Sequence, residues 1–423
     1  MGSLSGPILL AADERQNIFD VPGHLACGQS GKEVSVLKAE ELIPLPAGSN
    51  VFFLPDRFPI AFNVKSQALE ELPELYPVAA FVATGHTQLA TAAFRERRGA
   101  KMLPLFSYAP VALWRGKYYV PAVRVDARRN HDLSGLDRPL LQDKIKPFRR
   151  TRNRLIQHLI GCACVNSCPN AINFFLGRLE APLPVSPACN ARCLGCISLQ
   201  PKGSCPATQP RLNFVPTAEE IAEVAIIHIG RARQPVVSFG QGCEGEPLMQ
   251  AKVIAEAIRR IRAGTVRGTI HMNTNAGLTD GIEAVCRDGL DSLRVSLNSA
   301  RPELYERYYS PRGYSFDDVR RSILLAKRLG KFVSLNYLVM PGLTDQEAEF
   351  RAFRCLVKET GVDMVQWRNL NYDPRRYFDR MQEPKGGRLL GVANVIARLR
   401  AEFPGLRHGY FNLPREIYGS TSL

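Results

Sequence analysis

No apolar run in this 423-residue chain approaches the roughly 20 residues needed to cross a bilayer. Pro7-Ile-Leu-Leu-Ala-Ala12 is too short, and too poor in basic flanks, to read as a secretory leader. Both absences predict a cytoplasmic protein without a membrane partner. Internal repeats and low-complexity tracts are lacking as well, which excludes solenoid and repeat-array architectures. Acidic residues are in deficit, 40 against 55 Lys and Arg, for a formal net charge of +15. A polyanion such as RNA would be drawn to that field. Most of the excess, however, is Arg scattered along helix-like segments, so solvated surface is the first reading and a nucleic-acid partner is not favoured. The densest run, Lys144 to Arg154, passes directly into Leu155-Ile-Gln-His-Leu-Ile160 and reads as the solvated start of a packed helix.

Cysteine, by contrast, is plentiful. Eleven cysteines in a reducing compartment point to metal or redox chemistry rather than disulfides. With 45% hydrophobic residues the chain can bury a large core divided into two or three domains. Residues 1–35 read as a partly extended lead-in. Residues 36–130 read as an α+β accessory domain. Within it, Val111-Ala-Leu-Trp114 and Tyr118 to Val125 flank Arg115-Gly-Lys117 as a hairpin, and Gln88 to Arg98 has helical composition. Residues 131–180 read as a helical linker holding Cys162, Cys164 and Cys168, a composition seen around iron–sulfur clusters; Cys205 is a candidate fourth ligand. The same thiols would also pack well as small apolar side chains.

From residue 181 to 375 strands and helices alternate in the rhythm of a parallel sheet, followed by a C-terminal helix and tail over 376–423. Strands are predicted at Leu183–Pro187, Pro235–Phe239, Thr269–Asn273, Ser292–Leu297, Phe332–Leu338 and Met364–Trp367. The first runs straight into Cys189-Asn-Ala-Arg-Cys193-Leu-Gly-Cys196. Three thiolates in that spacing can wrap one iron–sulfur cube and leave its fourth iron without a protein ligand. They equally suit a zinc staple completed by Cys205, or an electron-transfer cluster.

This stretch resembles the cluster loop of the radical S-adenosylmethionine (radical SAM) enzymes, although Gly195 stands where the family usually has an aromatic residue. Later segments agree. Gly245-Glu246-Pro247 resembles the family's Gly-Gly-Glu-Pro motif, with Glu244 in place of the first glycine. Thr274-Asn275 is similar to its Thr-Asn-Gly segment. Ser296 and Asn298 resemble a Ser-x-Asp segment with the acid replaced, and the turn from Val339 to Leu343 resembles the segment that lies along adenine. The resemblance implies a partial (β/α)6 TIM-like barrel. It implies a [4Fe–4S] cluster on Cys189, Cys193 and Cys196, and S-adenosylmethionine (SAM) whose ammonium meets the Glu246 loop. It also implies reductive cleavage of SAM to a 5′-deoxyadenosyl radical, fed by an electron donor of flavodoxin or ferredoxin type. The substrate, whether protein, RNA or small molecule, and the residues that act on it are not legible; Arg368, Asn369 and Asn371 at the last strand end are candidates to hold it. Thr344 and Asp345 read as caps of the following helix.

Overall fold

Seven strands form the centre of the molecule: Glu180–Pro182, Val236–Phe239, Thr269–Thr274, Ser292–Leu297, Phe332–Val339, Met364–Asn369 and Arg407–Gly409. They pair in chain order and all in parallel. The second and third are buried at every position, as expected where helices cover one face and the barrel interior the other. The computed structural model describes residues 6–128, 138–382 and 387–419.

The helices between the strands follow from local signals. Ala218–Arg231 starts at Thr217, whose side chain accepts from the Glu220 amide while Glu220 accepts from the Thr217 amide. Thr279–Arg287, Phe316–Arg328 and Glu347–Thr360 each turn an apolar stripe inward. The first strand ends three residues after it begins. Pro182, Pro184 and Pro187 have no amide hydrogen to offer the ladder, so the segment predicted as Leu183–Pro187 runs on as largely buried backbone outside the regular ladder.

Three expectations need correction. The lead-in is no separate segment: Ile8–Ala12 and Ile18–Ser30 are strands of the accessory sheet, while residues 1–5 lie outside the described residues. Gln88 to Arg98 is not a helix. It forms the short strands His86–Gln88, Thr91–Ala92 and Phe94–Glu96, because pairing with three different neighbours outweighs its helical composition. The accessory domain is accordingly an antiparallel sheet of fourteen strands, in which the expected hairpin does form, with Leu113 opposite Tyr118. The C-terminal region is more than a helix and tail. Pro374–Met381 and Val392–Glu402 are followed by Arg407–Gly409, which adds the seventh parallel strand.

The accessory sheet sits on the rim of the barrel. Arg57, buried, donates to Asp373 at 3.1 Å and to Glu96 at 2.6 Å, and Asp373 also caps helix Pro374–Met381 and accepts from the Leu103 amide. Removing one partner of such a buried pair costs about 3–5 kcal/mol. Thr87 donates to the Trp367 carbonyl, Asn369 bonds the Gln88 amide and the His86 carbonyl, and the Gly31 amide donates to Pro341. Beside the first strand, helices Arg154–Cys164 and Pro169–Leu176 pack their apolar faces into the core. Among the described residues no single helix is long and apolar enough to cross a membrane.

Candidate active site

The loop of three cysteines leaves the end of the first strand and is pinned from two sides. The Gly245 amide donates to the Ser186 carbonyl at 2.6 Å, and the Glu246 amide to the Ala188 carbonyl at 2.9 Å. A Cβ at Gly245 would fall 2.0 Å from that Ala188 oxygen, so only glycine lets the two loops meet. Glu244, the residue standing in for the family's first glycine, accepts from the amides of Val185, Ser186 and Gln241 at 2.7–2.9 Å. Its carboxylate takes over as a brace between the two strand ends. From the other side, the amides of Arg192 and Leu194 donate to the carbonyls of Tyr309 and Tyr308, at the end of helix Pro302–Tyr309.

Cys189, Cys193 and Cys196 are all half-buried and unpaired. Burial pushes the Cys189 thiol up, and pushes Cys193 well up with help from the neighbouring Cys196 and Cys189. Arg211 opposes the rise at Cys189, and its guanidinium donates to Cys196 Sγ at 3.4 Å and to Ser198 Oγ at 3.1 Å. A cation beside a sulfur favours the thiolate, the form that binds metal. Cys205, the reserve ligand of the zinc reading, lies buried beside Ser204, near Asp373, and joins no close group of ligand atoms among the described residues.

Glu246 faces the same loop, close enough for its charge to act on both Cys189 and Cys193. It accepts from Thr274 Oγ1, from the Asn275 amide at 2.8 Å and from the Leu248 amide at 3.2 Å. Burial nevertheless raises its pKa to about 7, and that of Glu244 likewise to about 7. A cationic ligand would draw Glu246 into its charged form. Asn275 reaches across to Asn190 of the cysteine loop at 2.7 Å. The structure thus brings Gly245, Glu246, Pro247, Thr274 and Asn275 together around the three thiols.

The other expected site residues are placed differently. Ser296 is half-buried on the fourth strand. Asn298 is fully buried and donates to the Leu304 carbonyl at 3.3 Å and to Tyr377 at 3.4 Å, which anchors helix Pro302–Tyr309; its Oδ1 has no partner among the described residues. Val339 is wholly inside the core. Asn369 is committed to the accessory sheet, and Arg368 donates to the Tyr410 carbonyl and lies over its ring. Asp345 accepts from the Gly342 amide and Thr344 from that of Met340; both brace the turn, and the helix itself is capped at Gln346.

Sequence reasoning missed helix Pro302–Tyr309, although Pro302 at its first position and the pattern Leu304, Tyr305, Tyr308, Tyr309 signal it. The omission matters. A Cβ at Gly195 would lie 2.9 Å from Tyr308 Oη, so the aromatic absent from the loop is supplied from this helix. Arg211 was missed because nothing in its unpatterned surroundings marks it.

Residues 183–353 match the family model of the radical SAM superfamily. The barrel belongs to the radical SAM superfamily. Members of this superfamily are iron–sulfur enzymes that bind a [4Fe–4S] cluster and SAM. Among curated proteins the chain is similar to GTP 3′,8-cyclase of Aquifex aeolicus, 30% identical over 183 residues, covering 41% of this chain and 52% of the relative. GTP 3′,8-cyclase of Streptomyces coelicolor is 28% identical over 176 residues, covering 41% and 48%. The chain spans about half the length of these relatives. Among solved structures it is similar to methylornithine synthase (PylB), at TM-score 0.38 and 18% identity over 63% of this chain and 77% of that one. SuiB of Streptococcus suis bound to SAM aligns at TM-score 0.37 and 12% identity over 60% and 61%.

Proposed function

We propose that the chain is a radical SAM enzyme whose Cys189, Cys193 and Cys196 hold one [4Fe–4S] cluster with an open iron. When bound, that cluster supplies the electron that splits the SAM sulfonium into methionine and a 5′-deoxyadenosyl radical. The observation that carries this reading is the pinning of the cysteine loop against the Glu246 loop, which sets three half-buried thiols beside one buried carboxylate. The donor set fits the group: soft thiolates with a nearby guanidinium for the cluster, and Glu246 for an ammonium.

The residues of this chain then divide the remaining work. Gly245 and Glu244 fix the distance between thiols and carboxylate. Thr274 and the Asn275 amide orient the Glu246 oxygens. Tyr308, Tyr309 and Leu370 close the side of the loop away from Glu246 and keep water from the cluster. An external donor of flavodoxin or ferredoxin type is required for the electron. The family match lies in the barrel that holds the cofactors, so the relatives' name carries radical SAM chemistry to this chain and leaves the substrate open.

Anaerobic reconstitution tests the proposal. One reduced cubane should give an electron paramagnetic resonance signal whose shape changes when SAM is added. Stoichiometric zinc on the cysteine loop with no effect of SAM would overturn it.

A further inference from the structure

The linker cysteines are not arranged as the sequence suggests. Cys164 is exposed and faces Gln142, and Cys205 is not among the ligand atoms that converge here. Cys162 instead meets two residues that sequence reading did not connect with it. On helix Arg154–Cys164, His158 and Cys162 are four residues apart and share one face, with His158 Nε2 3.4 Å from Cys162 Sγ. From the barrel comes Cys243, in the loop that carries Glu244 and Glu246; its buried sulfur lies within 4.8 Å of the ligand atoms of both His158 and Cys162. Among the described residues only these three bring three ligand atoms within 4.8 Å of one another.

From this geometry we infer a second metal site, in which His158, Cys162 and Cys243 bind one soft divalent ion, zinc by ligand class, with Cys168 on the adjoining turn as the candidate fourth ligand. A tetrahedral ion with Zn–S of about 2.3 Å and Zn–N of about 2.0 Å keeps its ligand atoms roughly 3.5–3.8 Å apart. The 3.4 Å between His158 and Cys162 is about 0.1 Å short of that spacing, so the pair needs almost no movement to share an ion. Thiolates on a cubane each hold a different iron and stand farther apart, so a single ion suits this cluster and an auxiliary cubane does not. Cys168 is adjacent: its amide donates to the Cys162 carbonyl at 3.0 Å, and it is close enough to feel the charge of Cys162 and to act on Cys243. The ring of Phe214 covers His158 edge-on, while the half-exposed imidazole leaves a path for the ion. Four protein ligands make a closed, structural site. Its effect is to staple helix Arg154–Cys164 to the loop whose next residues, Glu244 to Glu246, brace the cysteine loop.

The test uses the full chain with Cys189, Cys193 and Cys196 all replaced by Ala, stripped of metal and titrated anaerobically with Co2+. We expect about one equivalent to bind with the visible bands of tetrahedral, thiolate-ligated cobalt, and Zn2+ to displace it. His158→Ala or Cys243→Ser in that background should lose the bands, whereas Cys286→Ser, at a buried thiol outside the site, should keep them. Absence of bands in protein shown folded by circular dichroism, or bands unchanged by both His158→Ala and Cys243→Ser, would overturn the inference. Elemental analysis of the otherwise unaltered chain gives an independent reading: Cys243→Ser should lower zinc and leave iron in place, and a loss of iron with no zinc in the parent would contradict the site.

Discussion

Cys189, Cys193 and Cys196 come from one short loop and hold their sulfurs apart. His158, Cys162 and Cys243 come from a helix and a distant loop and converge within 4.8 Å. The first arrangement suits the proposed cluster and its ligand; the second suits the inferred single ion. Ligand spacing thus separates chemistry from scaffolding in two sites that share the same soft donor atoms. The two are also joined, because Cys243 and Glu246 lie on one loop only three positions apart.

The sharpest way to break this contrast is to remove the cluster ligands. Cys193→Ala should lose about four irons per chain and all SAM cleavage while zinc stays at about one per chain, measured by elemental analysis and by 5′-deoxyadenosine release. If zinc leaves together with iron, the two sites are not separate. Next in size is Glu246→Gln, which keeps the shape and removes the charge meant for an ammonium. Charge-assisted hydrogen bonds contribute about 1.5–3 kcal/mol, so SAM affinity should fall of order tenfold or more with the iron content unchanged. Equal affinity in equilibrium binding would reduce the Glu246 loop to a brace.

His228 gives an effect outside both sites and calibrates them. Burial lowers its pKa to about 4, from an ordinary value near 6.5. A depressed folded-state pKa contributes stability above the unfolded value that is lost as pH falls, here across about pH 6.5 to 4 and on the order of 3 kcal/mol in full. Denaturation of the parent and of His228→Gln should therefore converge as pH is lowered through that window. A constant difference would show that His228 does not titrate on unfolding. The smallest effect belongs to Cys164→Ser and Cys205→Ser: each should leave iron and zinc contents unaltered, and a loss of either metal would restore these thiols as ligands.

Much of the barrel was legible because its signals are local. Alternating strands and helices, the C-x3-C-x2-C spacing and the Gly245-Glu246-Pro247 turn all lie within short windows, and the structure places them at one rim. What escaped depended on contacts distant in the chain. The His158 and Cys162 pair is readable as one helical face, but its partner Cys243 is supplied only by the fold. Gly195 reads as a departure from a motif until Tyr308 is seen against it. Asn369, polar and at a strand end, reads as a substrate ligand, yet the accessory sheet claims it through His86 and Gln88. The accessory domain itself was misread at Gln88 to Arg98 because short strands take their conformation from their neighbours.

One measurement bears on the whole account. After anaerobic reconstitution with iron and sulfide in the presence of trace zinc, the unaltered chain should contain about four irons, about four sulfides and about one zinc. A reproducible content near eight irons with no zinc would contradict it, since the converging ligands would then hold a second cluster and the distinction drawn from their spacing would fail.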